Sequence, residues 1–280
     1  MNPENLPIVL VLAGNDPTGG AGIQADIETL VSLGCHPAPV ITALTVQDTV
    51  GVKHYQPVEA GLVISQARAI LEDMPVAAIK AGMLATAENV TALSAILQDY
   101  PEVPLILDPV LASGHGESLA DDNLVEALIS LLIPQTTIIT PNILEVMQLA
   151  SDADNVDAAA QELLSIGCGY VLVTGTHART PGVENRLYGN RRLLETWSWE
   201  RLPDQYHGSG CTLASACAAT FSHGMDILEA VAEAQDYTWH ALERGHRLGM
   251  GQHVPDRLYW AREETEDRGE DDEPHEGNVH

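Results

Sequence analysis

Residues 207–219 read His-Gly-Ser-Gly-Cys-Thr-Leu-Ala-Ser-Ala-Cys-Ala-Ala, a glycine-rich turn that passes without a spacer into a run of small, helix-forming residues. Two glycines around Ser209 let backbone N–H groups point one way, and the first turn of the helix adds unpaired donors and the positive end of its dipole. Gly208, Ser209, Gly210 and Cys211 therefore read as an anion cradle, with Cys211 at a helix start where a thiol is acidified. A phosphoryl group in transfer needs such fixed positive potential. On this stretch alone, a turn that merely lets a helix pack closely explains the residues equally well.

Outward from this stretch the chain repeats strand, loop and helix. An apolar run at 8–13 ends in Gly14, and residues 22–33 carry Ile23, Ile27, Leu30 and Val31 at helical spacing. The loop between them, Gly14-Asn15-Asp16-Pro17-Thr18-Gly19-Gly20-Ala21-Gly22, suits close approach of a ligand, a tight turn being the alternative. It is neither a Walker A loop, since no lysine follows its last glycine, nor a dinucleotide fingerprint. Further strands are predicted at 38–44, 76–79, 103–107, 136–140 and 170–174, and helices at 58–74, 87–98, 121–132, 156–166 and 226–247. Short alternating pieces at 186–188 and 193–197 predict antiparallel strands at a sheet edge. In open parallel sheets ligands lie beyond the carboxyl ends of the strands, so the strand-end loops should share one edge.

Two of those loops carry recognisable chemistry. Gln47 falls just past a strand end, where an amide with a donor and an acceptor can read a heterocycle edge; a loop glutamine in water is the alternative. Asn142 and Glu145 stand one helical turn apart at a helix start. They suit either a hydrated Mg²⁺ facing a nucleotide or a simple capping pair.

Composition narrows the classes. The 280 residues, 45% hydrophobic, suffice for one large α/β domain or two small ones. Net charge is −27, and Lys53 and Lys80 are the only lysines, which excludes binding driven by nucleic-acid phosphates. Cys35, Cys168, Cys211 and Cys217 form no C-x-x-C pair and no zinc spacing, as in a reduced, cytoplasmic protein. The opening apolar run is too short to span a bilayer. Residues 263–280 are acidic and polar without apolar periodicity, so the domain is expected over 1–262 and a disordered tail beyond it.

The ordered motifs AGNDPTGGAGIQADIETL, VITALTVQDTVGV, KAGML, LDPV, ITPNILEV, VLVTGTH and HGSGCTLASA resemble those of the hydroxymethylpyrimidine/phosphomethylpyrimidine kinases of thiamine biosynthesis, over residues 8–257. The resemblance implies a ribokinase-like three-layer α/β/α fold, a mostly parallel central sheet with helices on both faces. It implies a homodimer with ATP over the C-terminal half and an aminopyrimidine near the first glycine loop. Gln47 then matches the glutamine that binds the aminopyrimidine, and Ala21, Met83, Val110 and Asp26 fall on the substrate side. Gly208, Ser209, Gly210 and Cys211 match the anion hole, with Cys211 where many sugar kinases of this fold carry an aspartate base. Asp108 and Glu145 match positions associated with Mg²⁺, and Asn142, Thr174 and Gly175 the nucleotide side.

The chain departs from the family pattern in two places. Thr174 replaces a lysine that neutralises nucleotide phosphates, leaving Lys80 or Arg186 as candidate substitutes, and Leu111-Ala112-Ser113-Gly114-His115-Gly116 lacks the usual basic residue. A pyridoxal or pyridoxine kinase is the nearest rival reading, and a non-catalytic pyrimidine-binding module the rival of another class. The acidic excess and lysine poverty also suit adaptation to a saline cytoplasm, a merely acidic bacterial enzyme being the alternative. The midpoint of thermal unfolding is expected to rise steeply with added KCl as repulsion is screened, and a flat profile would remove that reading.

Overall fold

The computed structural model describes residues 6–112, 119–176 and 180–261. The expected tail at 263–280 and the departure at 113–116 lie outside them. The first half comprises β1 (Ile8–Asn15), α1 (Gly22–Ser32), β2 (His36–Gln47), β3 (Val52–Pro57), α2 (Ala60–Asp73), β4 (Val76–Ala81), α3 (Ala87–Asp99) and β5 (Leu105–Leu107). The second comprises α4 (Asp122–Ala127), β6 (Ile138–Ile139), α5 (Ile143–Leu149), α6 (Val156–Ser165), β7 (Tyr170–Val173), β8 (Gly182–Gly189), β9 (Arg192–Glu200), α7 (Ser209–Ser222) and α8 (Ile227–Glu243).

The strands form one sheet in the order β3-β2-β1-β4-β5-β6-β7-β8-β9. From β2 to β7 neighbours are parallel, while β3 at one edge and β8 and β9 at the other run antiparallel. The chain leaves β1 first toward β2 and then, through β4, toward the opposite edge. A crevice opens at such a reversal, beyond the carboxyl ends of the strands.

Strand period explains the two covered faces. Leu10 and Leu12 of β1 join Ile79, Leu105, Leu107 and Ile139 in a core under α2 to α6, whereas Val9, Val11 and Ala13 join Ala78, Ile106 and Ile138 under α1, α7 and α8. A strand buried on both faces reads as an uninterrupted apolar run, which is why β1 was legible. Helix α7 is buried on every side from Thr212 to Thr220, and its Ala, Ser, Thr and Cys residues let it lie close between the sheet, α1 and α8.

Four elements differ from expectation. Strand β2 runs on through Gln47, which is thus the last residue of the strand and not a residue past its end. Strand β3, polar in sequence and half exposed, carries no continuous apolar run and was not foreseen. The helix expected over 121–132 is α-helical only to Ala127; it widens into a π turn at Leu128–Leu132 and tightens into a 3₁₀ turn at Ile133–Gln135, where Pro134 cannot donate to the preceding turn. Helix α8 stops at Glu243 because Gly245 and His246 double back onto Val254.

That return brings Arg257 inside. Its side chain is fully buried, donating to Thr212 Oγ1 at 3.0 Å, Gly19 O at 3.3 Å, Glu28 Oε2 at 3.0 Å and Gly20 O at 2.5 Å. The Tyr237 hydroxyl holds the Arg257 carbonyl at 2.7 Å. The C-terminal segment thus locks the first glycine loop to α7. Arg257→Met leaves two buried carbonyls and a hydroxyl without this donor and is expected to lower unfolding stability in urea by about 3 kcal/mol, with Arg257→Lys recovering only part because it lacks the planar fork. A loss under about 0.5 kcal/mol would mean that the loop is held elsewhere.

Candidate active site

The strand ends deliver the candidate residues to one edge. Beyond β1, Asp16 organises its loop: Oδ1 accepts from Thr18 N at 2.8 Å, and Oδ2 from Thr18 Oγ1 at 2.9 Å, Ala21 N at 2.9 Å and His207 Nε2 at 2.8 Å. Burial works against its charge, but these hydrogen bonds, His207 first, outweigh it and bring its pKa down to about 2. Ala21 is the N-cap of α1, and Gly22 follows with φ +60°, where a Cβ would lie 2.2 Å from Gly14 O. Met83 sits across the reversal point: its carbonyl accepts from Thr42, and its sulfur would be 3.2 Å from a Cβ on Gly14.

The anion cradle meets this loop backbone to backbone. Gly208 has φ +85°, and a Cβ there would stand 1.9 Å from Gly20 O. Any side chain would force the two loops apart. Ser209, Gly210 and Cys211 then form the first turn of α7, whose free N–H groups face the crevice end of the helix. Below them lies Asp108, with Oδ1 3.7 Å from where a Cβ on Gly210 would be. Val110 N donates back to Asp108 O at 2.9 Å, curling the loop after β5.

A buried charge cluster supports the cradle. Lys80 of β4 and Asp26 of α1 have no exposed side-chain surface, and Lys80 Nζ lies 2.7 Å from Asp26 Oδ1, which also accepts from Ser215 Oγ at 2.7 Å. Asp26 therefore ties three elements together from inside the protein. Lys80 is equally enclosed, and Arg186 lies 3.2 Å from Glu184 and 3.8 Å from Asp157, so both suggested substitutes for the family lysine already have acidic partners. Burial raises the Asp108 carboxyl, with Asp26 adding to the shift and Lys80 and the Cys211 thiol opposing it.

The expected acidification of Cys211 is reversed. Burial, with the charges of Asp108 and Asp26, outweighs the pull of Lys80 and pushes the thiol up to about 12. The thiol is therefore neutral here, and it and the Asp108 carboxyl are close enough for each to shift the other.

Asn142 and Glu145 form a capping box: Asn142 Oδ1 accepts from Leu144 N at 2.8 Å and Glu145 N at 3.1 Å, while Glu145 Oε2 accepts from Asn142 N at 2.9 Å. The capping alternative is thus realised. Glu145 is also close enough to Asp108 to feel its charge, and burial plus that repulsion push its pKa up to about 8. Asp108 Oδ2 is buried without a hydrogen-bond partner among the described residues. Two carboxyl groups whose proton affinity is raised by burial and acidic neighbours, one with an orphaned oxygen, fit a group that brings positive charge. Among the described residues no three His, Cys, Asp or Glu side chains are grouped to hold a metal. A cation here would have to draw its remaining ligands from water and phosphate oxygens. Thr174 pairs in parallel with Asn142 at the end of β7, and Gly175 N donates to Asn185 Oδ1 at 3.1 Å against β8.

A glycine loop, a helix start and an orphaned carboxyl oxygen thus lie along one sheet edge, and comparison with known proteins identifies the family. The family model described as phosphomethylpyrimidine kinase matches residues 16–256. The chain belongs to this family. A hydroxymethylpyrimidine/phosphomethylpyrimidine kinase of Streptomyces coelicolor is 36% identical over 255 residues, 89% of this chain and 93% of that protein. Among solved structures, a phosphomethylpyrimidine kinase from Clostridium difficile is similar with a TM-score of 0.73 and 33% identity, covering 84% of this chain and 99% of the other. A Staphylococcus aureus pyridoxal kinase in complex with AMP-PCP and pyridoxal is similar with a TM-score of 0.81 and 26% identity, covering 92% and 96%.

Three participants escaped the sequence reading. Asp16 carries a local signal, Asp-x-Thr in a glycine loop, which is an Asx turn that also captures a later N–H. His207 was visible inside its motif but its partners, Asp16 and Gln47, are 191 and 160 residues distant. Arg257 has no local signal at all.

A carboxyl whose folded pKa exceeds its unfolded value binds its proton more tightly in the native state, so its stabilising contribution is present below the unfolded value of 4.5 and lost as pH rises through about 8. Glu145→Gln removes this loss. Its thermal midpoint is expected to match the parent near about pH 5 and exceed it by several degrees above about pH 8. A difference independent of pH would place the Glu145 charge elsewhere in the balance.

Proposed function

We propose that this chain transfers the γ-phosphoryl group of ATP to the hydroxymethyl oxygen of 4-amino-5-hydroxymethyl-2-methylpyrimidine, and then to the resulting monophosphate, supplying a thiamine precursor. One observation carries the reading: the Gly208–Gly20 contact presses the donors of α7 against the loop that bears Ala21, with His207 beside Gln47 on one side and Asp108 beneath Gly210 on the other. Acceptor hydroxyl, moving phosphoryl group and cation thereby share one small volume.

In this arrangement Gln47 orients the aminopyrimidine, and Ala21, Met83 and Val110 line its ring. The N–H groups of Ser209, Gly210 and Cys211 take the charge that develops on the equatorial oxygens. Asp108 and Glu145 would hold Mg²⁺, which when bound neutralises charge on the phosphate oxygens. Asn142, Thr174 and Gly175 lie on the nucleotide side. A thiol pushed up to about 12 is not a preformed base. Cys211 is instead a neutral thiol beside Asp108, and the loose transition state of phosphoryl transfer puts most of the catalysis into positioning and charge stabilisation. Lys80 and Asp26 set the buried charge behind the site rather than touching the ligand.

The greater structural likeness to the pyridoxal kinase favours a second reading, in which a pyridine with the same hydroxymethyl arm is also accepted. We also propose a homodimer working in the cytoplasm. Leu44, Val46 and Val50, half exposed around β2 and β3, support an apolar contact there, and no helix among the described residues is long and apolar enough to cross a membrane.

The test is ATP consumption with hydroxymethylpyrimidine and, separately, pyridoxal, with products identified by mass. Phosphorylated pyrimidine is expected at the higher kcat/KM, followed by a second phosphate on the same molecule. Preference for pyridoxal would overturn the substrate, and pyrimidine binding without ATP consumption would make the chain a binding module.

A further inference from the structure

His207 occupies a junction that the reaction scheme above leaves without a task. It immediately precedes the left-handed Gly208, and its N–H donates to His253 O at 2.8 Å. Its ring lies against Gly20, where a Cβ would come within 2.4 Å of Cδ2. Nε2 then faces two groups at once, Asp16 Oδ2 at 2.8 Å and the side-chain amide nitrogen of Gln47 at 3.2 Å.

One ring nitrogen cannot both donate to a carboxylate and accept from an amide N–H. Asp16 is an ionised, nearly enclosed carboxylate whose other donors are two N–H groups and a hydroxyl, and a carboxylate only accepts. Nε2 must therefore carry the proton and donate. A protonated Nε2 has no lone pair, so an amide NH₂ 3.2 Å away would meet it donor to donor. The amide oxygen and nitrogen of glutamine occupy interchangeable positions, and the hydrogen-bond network decides which is which. With Oε1 turned toward His207, the conflict disappears and the Gln47 NH₂ points the other way.

We infer that His207, fixed by Asp16, is a positioning residue for substrate recognition: it sets the order of donor and acceptor on the Gln47 amide. Oε1 has two lone pairs, one shared with His207 and one left for an exocyclic amino group, while the NH₂ donates to a ring nitrogen. That order is complementary to an aminopyrimidine edge, in which an amino donor stands beside an unprotonated ring nitrogen. The opposite order would set donor against donor at the amino group and acceptor against acceptor at the ring nitrogen. Because His207 also opens the turn into α7, the residue that orients the heterocycle reader is covalently continuous with the anion cradle. The inference rests on Gln47 holding the heterocycle, and the experiment separates the two.

His207→Phe keeps a ring against Gly20 but removes both nitrogens. It is expected to raise KM for hydroxymethylpyrimidine about tenfold, the scale of one or two hydrogen bonds, with kcat altered less than about threefold. Combined with Gln47→Ala it should add nothing to the KM of Gln47→Ala alone. For the analogue that lacks the 4-amino group, the penalty of His207→Phe should shrink. Asp16→Asn, which removes the anion that fixes the proton on Nε2, should reproduce the non-additivity, and it decides the matter if His207→Phe does not fold. Additive effects in both cycles, or a loss confined to kcat, would overturn the inference and leave His207 as a structural part of the turn. An unchanged KM in Gln47→Ala by itself would instead remove Gln47 from the substrate site.

Discussion

The structure depends on one close approach of main chain to main chain. Gly208 of the cradle and Gly20 of the first loop come so near that a Cβ on either would intrude on the other loop, 1.9 Å from Gly20 O in one case and 2.4 Å from His207 in the other. Neither loop could hold this position alone, since a positive-φ glycine loses more conformational freedom on ordering than any other residue. Three independent ties offset that cost: the Asp16 carboxylate reaching His207, the Arg257 fork reaching both Gly19 and Gly20, and the helix dipole geometry of α7 beneath. The glycines are thus needed for proximity, and the surrounding hydrogen bonds are needed for the glycines.

A second constraint runs beneath the first. Lys80, Asp26, Asp108 and Cys211 form a low-dielectric cluster in which one ammonium faces two carboxylates and a thiol. Burial lowers the Lys80 proton affinity, but its acidic neighbours, Asp26 first, more than restore it and hold the lysine charged. The cluster cannot also ionise the thiol. Burial therefore keeps Cys211 neutral, and the Asp108 and Glu145 carboxyls hold their protons more tightly than free carboxyls do, so the enclosure is short of positive charge.

What could be read from the sequence follows from the range of the interactions involved. The alternation of Val9, Leu10, Val11 and Leu12 between two faces, and the small residues of Thr212–Thr220, are local patterns, and they carried the sheet and the buried helix. The glycine turns announced their own backbone requirements. Strand β3 was missed because an exposed edge strand needs no apolar run, and the π turn because Leu128–Leu132 keep an ordinary helical apolar pattern. The thiol shift at Cys211 went the other way from the local expectation because the helix terminus is a local feature, whereas Asp26 and Asp108 are brought in by tertiary structure. Arg257 shows the limit most clearly: its partners include backbone carbonyls 237 and 238 residues away, and no pattern at position 257 encodes a carbonyl.

The overall acidity gives these details a common logic. A chain of net charge −27 repels phosphates at long range, and it has only two lysines with which to offset that. Side-chain cations on such a surface are drawn to the abundant carboxylates, as Arg186 is to Glu184 and Asp157. Backbone N–H groups cannot be diverted in that way. Their orientation is fixed by the fold, and their effect acts at contact distance, where salt screens little, while the long-range repulsion is the part that salt does screen. An acidic protein that handles phosphate is therefore better served by a cradle made from Ser209, Gly210 and Cys211 N–H groups than by added lysines, provided the glycine contact that aims them is rigid. The rigidity of one loop contact and the sign of the whole surface are in this sense parts of the same solution.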